Sequence, residues 1–338
     1  MITDTYKRPL RDLRISVTDR CNFRCTYCMP AEIYGERYEF LPREDLLTFE
    51  EITRLTGILV GLGVEKVRLT GGEPLVRNDI EKLVSQLAPL EGIRDLTMTT
   101  NAYLLPQKAQ ALRDAGLQRV TISLDTLDDE VFKQMNGRGF GTQRVIEGID
   151  AAEKAGLNPI KINSVVQRGV NDHTIVELAR FARDRGHIVR FIEFMDVGNL
   201  NEWKSDRVVP ADEVVAMIDA EMPLEPVGSN YAGEVASRYR YKDGGGEIGV
   251  IASVTKPFCG DCTRLRLSPE GKVFTCLFGV KGTDLRGPIR DGATDEGLES
   301  ILRRVWSVRD DRYSEERSSM TDELRQSRKK VEMYHIGG

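Results

Sequence analysis

The amino-acid sequence predicts an α/β fold in two parts, a larger repetitive one over residues 1–200 and a smaller α+β one over residues 201–338. Three observations carry this expectation. Apolar, β-rich runs alternate with helical patterns through the first part; glycines stand where its helices should end; and the alternation stops after Gly198. A βα series of this kind builds a parallel sheet with helices covering it. Six such units make an incomplete (β/α)6 barrel of the TIM type, two strands short of closure.

The strands are expected near 12–18, 65–70, 94–99, 119–124, 160–166 and 188–195, and the helices near 49–61, 79–88, 106–115, 143–155 and 174–185. Gly61, Gly116, Gly156 and Gly186 fall where a left-handed C-terminal cap belongs. Within the strands one face is polar. Leu13, Ile15 and Val17 alternate with Arg14, Ser16 and Thr18; Val67 and Leu69 alternate with Lys66, Arg68 and Thr70. The same holds for Val120, Ile122 and Leu124 against Thr121, Ser123 and Asp125. Buried parallel strands usually read as continuous apolar runs, because both faces are covered. The alternation therefore fits either an antiparallel sheet with one wet face or a parallel barrel whose lumen holds a polar ligand. Beyond Gly198 the pattern suggests a helix near 211–220, a loop containing Pro223 and Pro226, and short strands near 237–242, 247–254, 263–267 and 272–276. Gly244, Gly245 and Gly246 form the turn of the first hairpin.

With 338 residues, 40% of them hydrophobic and 30% charged, the chain can bury a full core. No run approaches the roughly 18 apolar residues of a membrane span, and the opening MITDTYKRPLRDLR is too polar for a signal peptide. The expected location is the cytoplasm, with no membrane contact. A net charge of -5 argues against general nucleic-acid binding, so an anionic ligand has to be met by local groups of Arg and Lys. Six cysteines in such a chain are not expected to form disulfides, because that compartment keeps thiols reduced.

Their spacing points to metal chemistry. Cys21, Cys25 and Cys28 form a C-x3-C-x2-C group at the carboxyl end of the first strand, the face where barrels carry their active sites. Structural zinc takes four closed ligands, and no fourth Cys or His stands nearby. Three thiolates on a 4Fe-4S cubane leave one iron open, able to chelate the amino and carboxylate groups of S-adenosylmethionine. Cys259, Cys262 and Cys276 make a second group of three. Here a zinc ribbon completed by His173, His187 or His335 stays open beside a second three-thiolate cluster.

The first cysteine group has an aromatic residue, Tyr27, just before its last Cys, and Gly71-Gly72-Glu73-Pro74 ends the second strand. In these features the chain resembles the radical S-adenosylmethionine superfamily. Further segments narrow the likeness: Arg14-Ile-Ser-Val-Thr-Asp-Arg-Cys21, Arg68-Leu-Thr-Gly-Gly-Glu-Pro, Thr99-Thr-Asn, Ser123-Leu-Asp and Phe191-Ile-Glu-Phe-Met195-Asp-Val-Gly-Asn. With the second cysteine group and the terminal Gly337-Gly338, the whole chain resembles the GTP 3',8-cyclases, the molybdenum cofactor biosynthesis protein A family.

That resemblance implies two 4Fe-4S clusters and radical cyclisation of GTP with S-adenosylmethionine. It assigns Tyr27, Gly72, Ser123 and Met195 to S-adenosylmethionine, and Arg14, Arg68, Thr99, Lys161, Arg264 and Arg266 to GTP. Lys161 follows a looser match around Asn158-Pro159. Arg14, Arg68, Thr99, Ser123 and Lys161 all fall on the polar strand face, and Arg264 and Arg266 share a face of one strand next to Cys262. Gly337 and Gly338 are implied to reach the active site, which suits residues without side chains. The resemblance also implies a homodimer, a reductant such as flavodoxin or ferredoxin, and hand-off to cyclic pyranopterin monophosphate synthase. A peptide maturase with an auxiliary cluster and a zinc-stabilised binding module are the competing readings.

Overall fold

The structure is a computed structural model and describes residues 1–231, 233–320 and 322–338. Six parallel strands follow one another in space as in sequence: β1 (Asp12–Ser16), β2 (Lys66–Thr70), β3 (Asp95–Thr100), β4 (Arg119–Ser123), β5 (Lys161–Val166) and β6 (Ile188–Glu193). The antiparallel alternative is thereby removed. Their connecting helices are α1 (Phe49–Leu62), α2 (Ile80–Leu87), α3 (Leu105–Asp114), α4 (Asp129–Asn136), α5 (Gln143–Ala155) and α6 (Ile175–Asp184).

Local chemistry explains these boundaries. Thr48 and Glu51 form a reciprocal capping box that starts α1. Gly61 does not cap that helix: the helix runs on to Leu62, and Gly63, at φ 122°, is the left-handed stop. A glycine inside the last turn is tolerated when the one two residues on can take the positive φ. Gly116, Gly156 and Gly186 do adopt positive φ at their helix ends. α4 is absent from the sequence expectation. It is only one short segment, initiated by the Asp128 carboxylate accepting from Glu130 N and Val131 N, each at 3.0 Å.

The second part contributes α7 (Ala211–Glu221), β7 (Leu224–Val227), β8 (Ser237–Tyr241), β9 (Glu247–Ile251), β10 (Arg264–Leu267), β11 (Lys272–Phe274), β12 (Thr283–Asp284), α8 (Arg286–Arg290) and α9 (Asp295–Ser307). The segment around Pro226 is a strand rather than a loop. It pairs only with β8 and ends the sheet, the place where proline is compatible with pairing. Gly244 to Gly246 do turn the β8–β9 hairpin, with Tyr241 N donating to Gly246 O at 3.0 Å.

The strands of the second part dock on both edges of the first. β10 lies parallel beside β1 and β9 parallel beside β6, so eight parallel strands run in the order β10, β1 to β6, β9. Apolar side chains such as Leu13, Ile15, Val67 and Ile122 are fully buried under the helices, each worth about 1.5–3 kcal/mol in transfer from water. The alternating polar residues turn inward, toward the lumen.

Candidate active site

Parallel register sets the polar groups of adjacent strands side by side. Arg266 of β10 pairs with Arg14 of β1, and Arg14 pairs with Arg68 of β2. Three guanidiniums thus form a row across three neighbouring strands. Arg68 Nη1 donates to Thr99 Oγ1 at 2.8 Å and to Thr121 Oγ1 at 3.1 Å. Burial, and then Arg266, Arg264 and Arg68, drive Arg14 well below the usual arginine range. Burial followed by Arg264 lowers Arg266 to about 9. Like charges crowded in a buried lumen are costly unless an anion offsets them.

This row lines a cavity of approximately 260 Å³ that also reaches both cysteine groups. Cys21, Cys25 and Cys28 lie in the loop after β1. The buried Arg24 shapes that loop, donating to Tyr34 O at 2.6 Å and to Cys21 O and Phe23 O at 2.7 Å. Phe23 N donates to Cys21 Sγ at 3.4 Å. Burial pushes the Cys21 thiol up to about 12 and raises Cys25 and Cys28 as well. Three half-buried thiols whose ionisation is opposed in this way do not all charge without a compensating cation, which an iron–sulfur core provides.

Cys259, Cys262 and Cys276 line the same cavity. Burial opposes ionisation of Cys262, but the charges of Arg264 and Arg309 overcome it and bring the thiol down to about 6. Arg264 Nε and Nη2 donate to Cys262 Sγ at 3.2 and 3.1 Å. Phe278 N reaches Cys276 Sγ at 3.5 Å. No histidine lines the cavity: His187 Nε2 is 2.7 Å from Glu153 Oε1 and His335 Nε2 is 2.8 Å from Glu270 Oε2. Among the described residues no three or more His, Cys, Asp and Glu side chains gather around a single-ion position. A cubane has an iron at each of several corners and does not require its sulfur ligands to meet at one point. Both sets of three thiols fit such a cluster.

Of the other residues singled out from sequence, Tyr27, Gly72, Ser123 and Met195 line the cavity. Tyr27 OH donates to Asp125 Oδ2 at 2.9 Å. A Cβ on Gly72 would lie 2.3 Å from Arg20 O, so the strand-to-loop turn needs glycine. Glu73 is engaged by the protein itself, accepting from Thr100 Oγ1 and Asn101 N at 2.7 Å. Thr99, Arg264 and Arg266 also line the cavity; Lys161 does not. Lys161 lies lower on the same face of β5, where burial and then Arg190, Arg119 and Lys66 hold its ammonium down to about 7.

The C-terminus enters the lumen. Gly338 lines the cavity, and Arg266 Nη1 donates to the carbonyl of Gly337. Gly337 has φ 73°, and a Cβ there would lie 2.3 Å from Thr70 Cγ2.

Residues 15–182 match the Radical SAM superfamily, and residues 187–315 match Molybdenum Cofactor Synthesis C. A GTP 3',8-cyclase of Acidothermus cellulolyticus is 54% identical over 100% of this chain and 99% of its own. That of Staphylococcus aureus is 48% identical with the same coverage. The chain belongs to the GTP 3',8-cyclase family. It is an enzyme of the radical S-adenosylmethionine type. Among solved structures, Streptococcus suis SuiB bound to S-adenosylmethionine shares the fold, with TM-score 0.63 and 18% identity over 93% of this chain and 69% of that one.

The lumen also holds groups beyond those expected from sequence. Arg190 and Asn163 line the cavity, joined by a 2.9 Å hydrogen bond from Arg190 Nε to Asn163 Oδ1. The alternation of Ile188 to Glu193 carried that signal. Arg309 and Asp311 also line it, from a segment with no periodicity to reveal them. No helix among the described residues is long and apolar enough to cross a membrane.

Proposed function

We propose that this chain cyclises GTP to (8S)-3',8-cyclo-7,8-dihydroguanosine 5'-triphosphate, the first step of molybdenum cofactor biosynthesis. The observation that carries the reading is a single cavity lined by both three-cysteine groups and by the arginine row Arg266, Arg14 and Arg68. Residues 1–200 would generate the radical, and residues 201–338 would bring the second cluster and Arg264 and Arg266.

When loaded, the first site supplies one-electron cleavage of S-adenosylmethionine to a 5'-deoxyadenosyl radical, and the second supplies an iron with an open coordination position. The reaction moves the 3' hydrogen of the GTP ribose to the 5' carbon of 5'-deoxyadenosine, joins C3' to C8 of guanine, and takes up one further electron from the reductant and a proton to reach the 7,8-dihydro product. Cys21, Cys25 and Cys28 would hold the first cluster, and Cys259, Cys262 and Cys276 the second. Tyr27, Gly72, Ser123 and Met195 shape the S-adenosylmethionine subsite. Arg14, Arg68 and Arg266 present planar forks of donors to the triphosphate, whose charge favours their protonated forms, with Thr99 orienting Arg68. Lys161 joins them from below once an anion stabilises its charged form. The docked Gly337-Gly338 tail fills space beside the substrate and helps exclude water, so that the radical meets only its target. A homodimer, a flavodoxin- or ferredoxin-type reductant and transfer of the product to cyclic pyranopterin monophosphate synthase complete the reading.

The test is anaerobic incubation of reconstituted protein with S-adenosylmethionine, dithionite and each nucleoside triphosphate in turn, followed by mass spectrometry. GTP alone should yield a cyclised isomer together with 5'-deoxyadenosine. Equal turnover of ATP, or cleavage with no nucleotide product, would sink the assignment.

A further inference from the structure

The loop carrying Cys259 and Cys262 is gripped by residues from distant parts of the chain. Asp4 is fully buried and accepts from the backbone N–H of Tyr6 at 3.0 Å and of Arg8 at 2.9 Å, closing the N-terminal segment on itself. The same carboxylate takes Arg8 Nε at 2.5 Å and lies 3.4 Å from Arg309 Nη1. The two guanidiniums then diverge onto the cysteine loop. Arg8 Nη1 donates to Cys259 O at 2.7 Å and to Asp311 O at 2.9 Å. Arg309 Nη1 donates to Cys262 O at 2.7 Å. Trp306 backs both: its Nε1 donates to Arg8 O at 3.1 Å, and the Arg309 guanidinium sits 4.6 Å from its ring centre. The Arg8, Asp4 and Arg309 side chains are 2%, 0% and 1% exposed.

Stability is a poor account of such a cluster. Buried ionic triads are often matched or exceeded by apolar side chains of similar volume. Apolar side chains could not donate to the cysteine carbonyls, nor set the positive charge of Arg309 beside the Cys262 thiol. Hydrogen bonds and charge around the ligands are the levers by which a protein tunes an iron–sulfur cluster. At the first group Arg24 does a comparable job from within the loop itself. At the second, the grip comes from residues about 250 and 47 positions away.

We propose that Arg8 and Arg309, yoked by Asp4, are positioning residues for the second cluster, fixing Cys259 and Cys262 in the geometry and charge environment that the substrate-facing cluster requires. This rests on placing that cluster at Cys259, Cys262 and Cys276. The proposal makes the N-terminal ten residues part of the second cluster site rather than a dispensable extension.

The test uses the full chain with Cys21, Cys25 and Cys28 replaced by Ala, which isolates the second site. After anaerobic reconstitution this parent should hold about four irons and show an electron paramagnetic resonance signal that changes on adding GTP. Adding Arg8→Met or Arg309→Met should at least halve the iron or shift the signal and remove its response to GTP. Arg309→Lys, which keeps the charge but not the fork, should recover most of the iron. In the chain with all six cysteines, the same Met substitutions should leave the first cluster's share of the iron and some S-adenosylmethionine cleavage. Full iron and the parent signal in both Met variants would overturn the proposal. So would unfolding in every variant including Arg309→Lys, since the triad would then serve folding alone. An iron-free parent would overturn both the placement of the second cluster and the role of the triad.

Discussion

Replacing Gly337 by Ala tests whether the docked tail serves the reaction. Gly337 sits at φ 73°, where an L-residue is disfavoured by about 1–2 kcal/mol. The new Cβ would be 2.3 Å from Thr70 Cγ2, and overpacking of this kind adds roughly 1–3 kcal/mol. The docked state is therefore weakened by about 2–5 kcal/mol, and its lower end corresponds to roughly a 30-fold shift toward the undocked tail. Arg266 would lose the carbonyl it donates to. Because only the terminal residues are displaced, the melting temperature and iron content should stay close to those of the parent. Formation of the cyclised product, measured anaerobically by mass spectrometry under single-turnover conditions, should fall at least tenfold. Uncoupled 5'-deoxyadenosine should continue. Adding Thr70→Ala removes the clashing methyl but not the φ penalty, so the double variant should recover part of the loss relative to Thr70→Ala alone. Deleting Gly337 and Gly338 should reproduce the full defect. Product formed at the parent rate by Gly337→Ala, with full iron, would refute any role for the docked tail.

Replacing Cys21, Cys25 and Cys28 together by Ala should halve the iron and abolish S-adenosylmethionine cleavage, whereas replacing Cys259, Cys262 and Cys276 should halve the iron and leave some cleavage; equal loss of cleavage in both would count against separate roles. Truncating Arg264 or Arg266 to Ala should weaken GTP binding by roughly 1.5–3 kcal/mol, read by calorimetry, with little change for S-adenosylmethionine. Arg264→Ala should also disturb the second cluster, because its guanidinium donates to Cys262 Sγ. Lys161, held down to about 7 by burial and neighbouring cations, is mostly neutral at pH 8 in the empty protein. A triphosphate favours its charged form, so GTP affinity should fall as pH rises from about 7 to 9, and Lys161→Arg should flatten that slope; an equal slope in both proteins would remove Lys161 from the site.

The sequence by itself determined the order of the six barrel strands and of all their helices but α4, the two cysteine groups and the polar face of the strands; α8 and α9 lay outside its pattern. These are local properties: backbone period, one-sided burial and ligand spacing are written within a few residues of each other. Arg14, Arg68, Thr99, Ser123 and Lys161 were legible for that reason, and the same alternation in Ile188–Glu193 marks Arg190. The short α4 and the edge strand around Pro226 escaped because one depends on a single capping aspartate and the other on a partner strand. Tertiary structure alone decided that β10 docks parallel to β1, and so that Arg266, Arg14 and Arg68 stand in one row. It alone brought both cysteine groups to one cavity, showed Lys161 below that cavity's wall and laid the carbonyl of Gly337 on Arg266. It also joined Asp4 to Arg309, and Arg8 to the carbonyl of Asp311, across 305 and 303 positions of chain. The physical reason is that pairing between edges and burial of charge are long-range outcomes of packing, and no periodicity in the chain encodes which distant partner will satisfy a given strand edge or guanidinium.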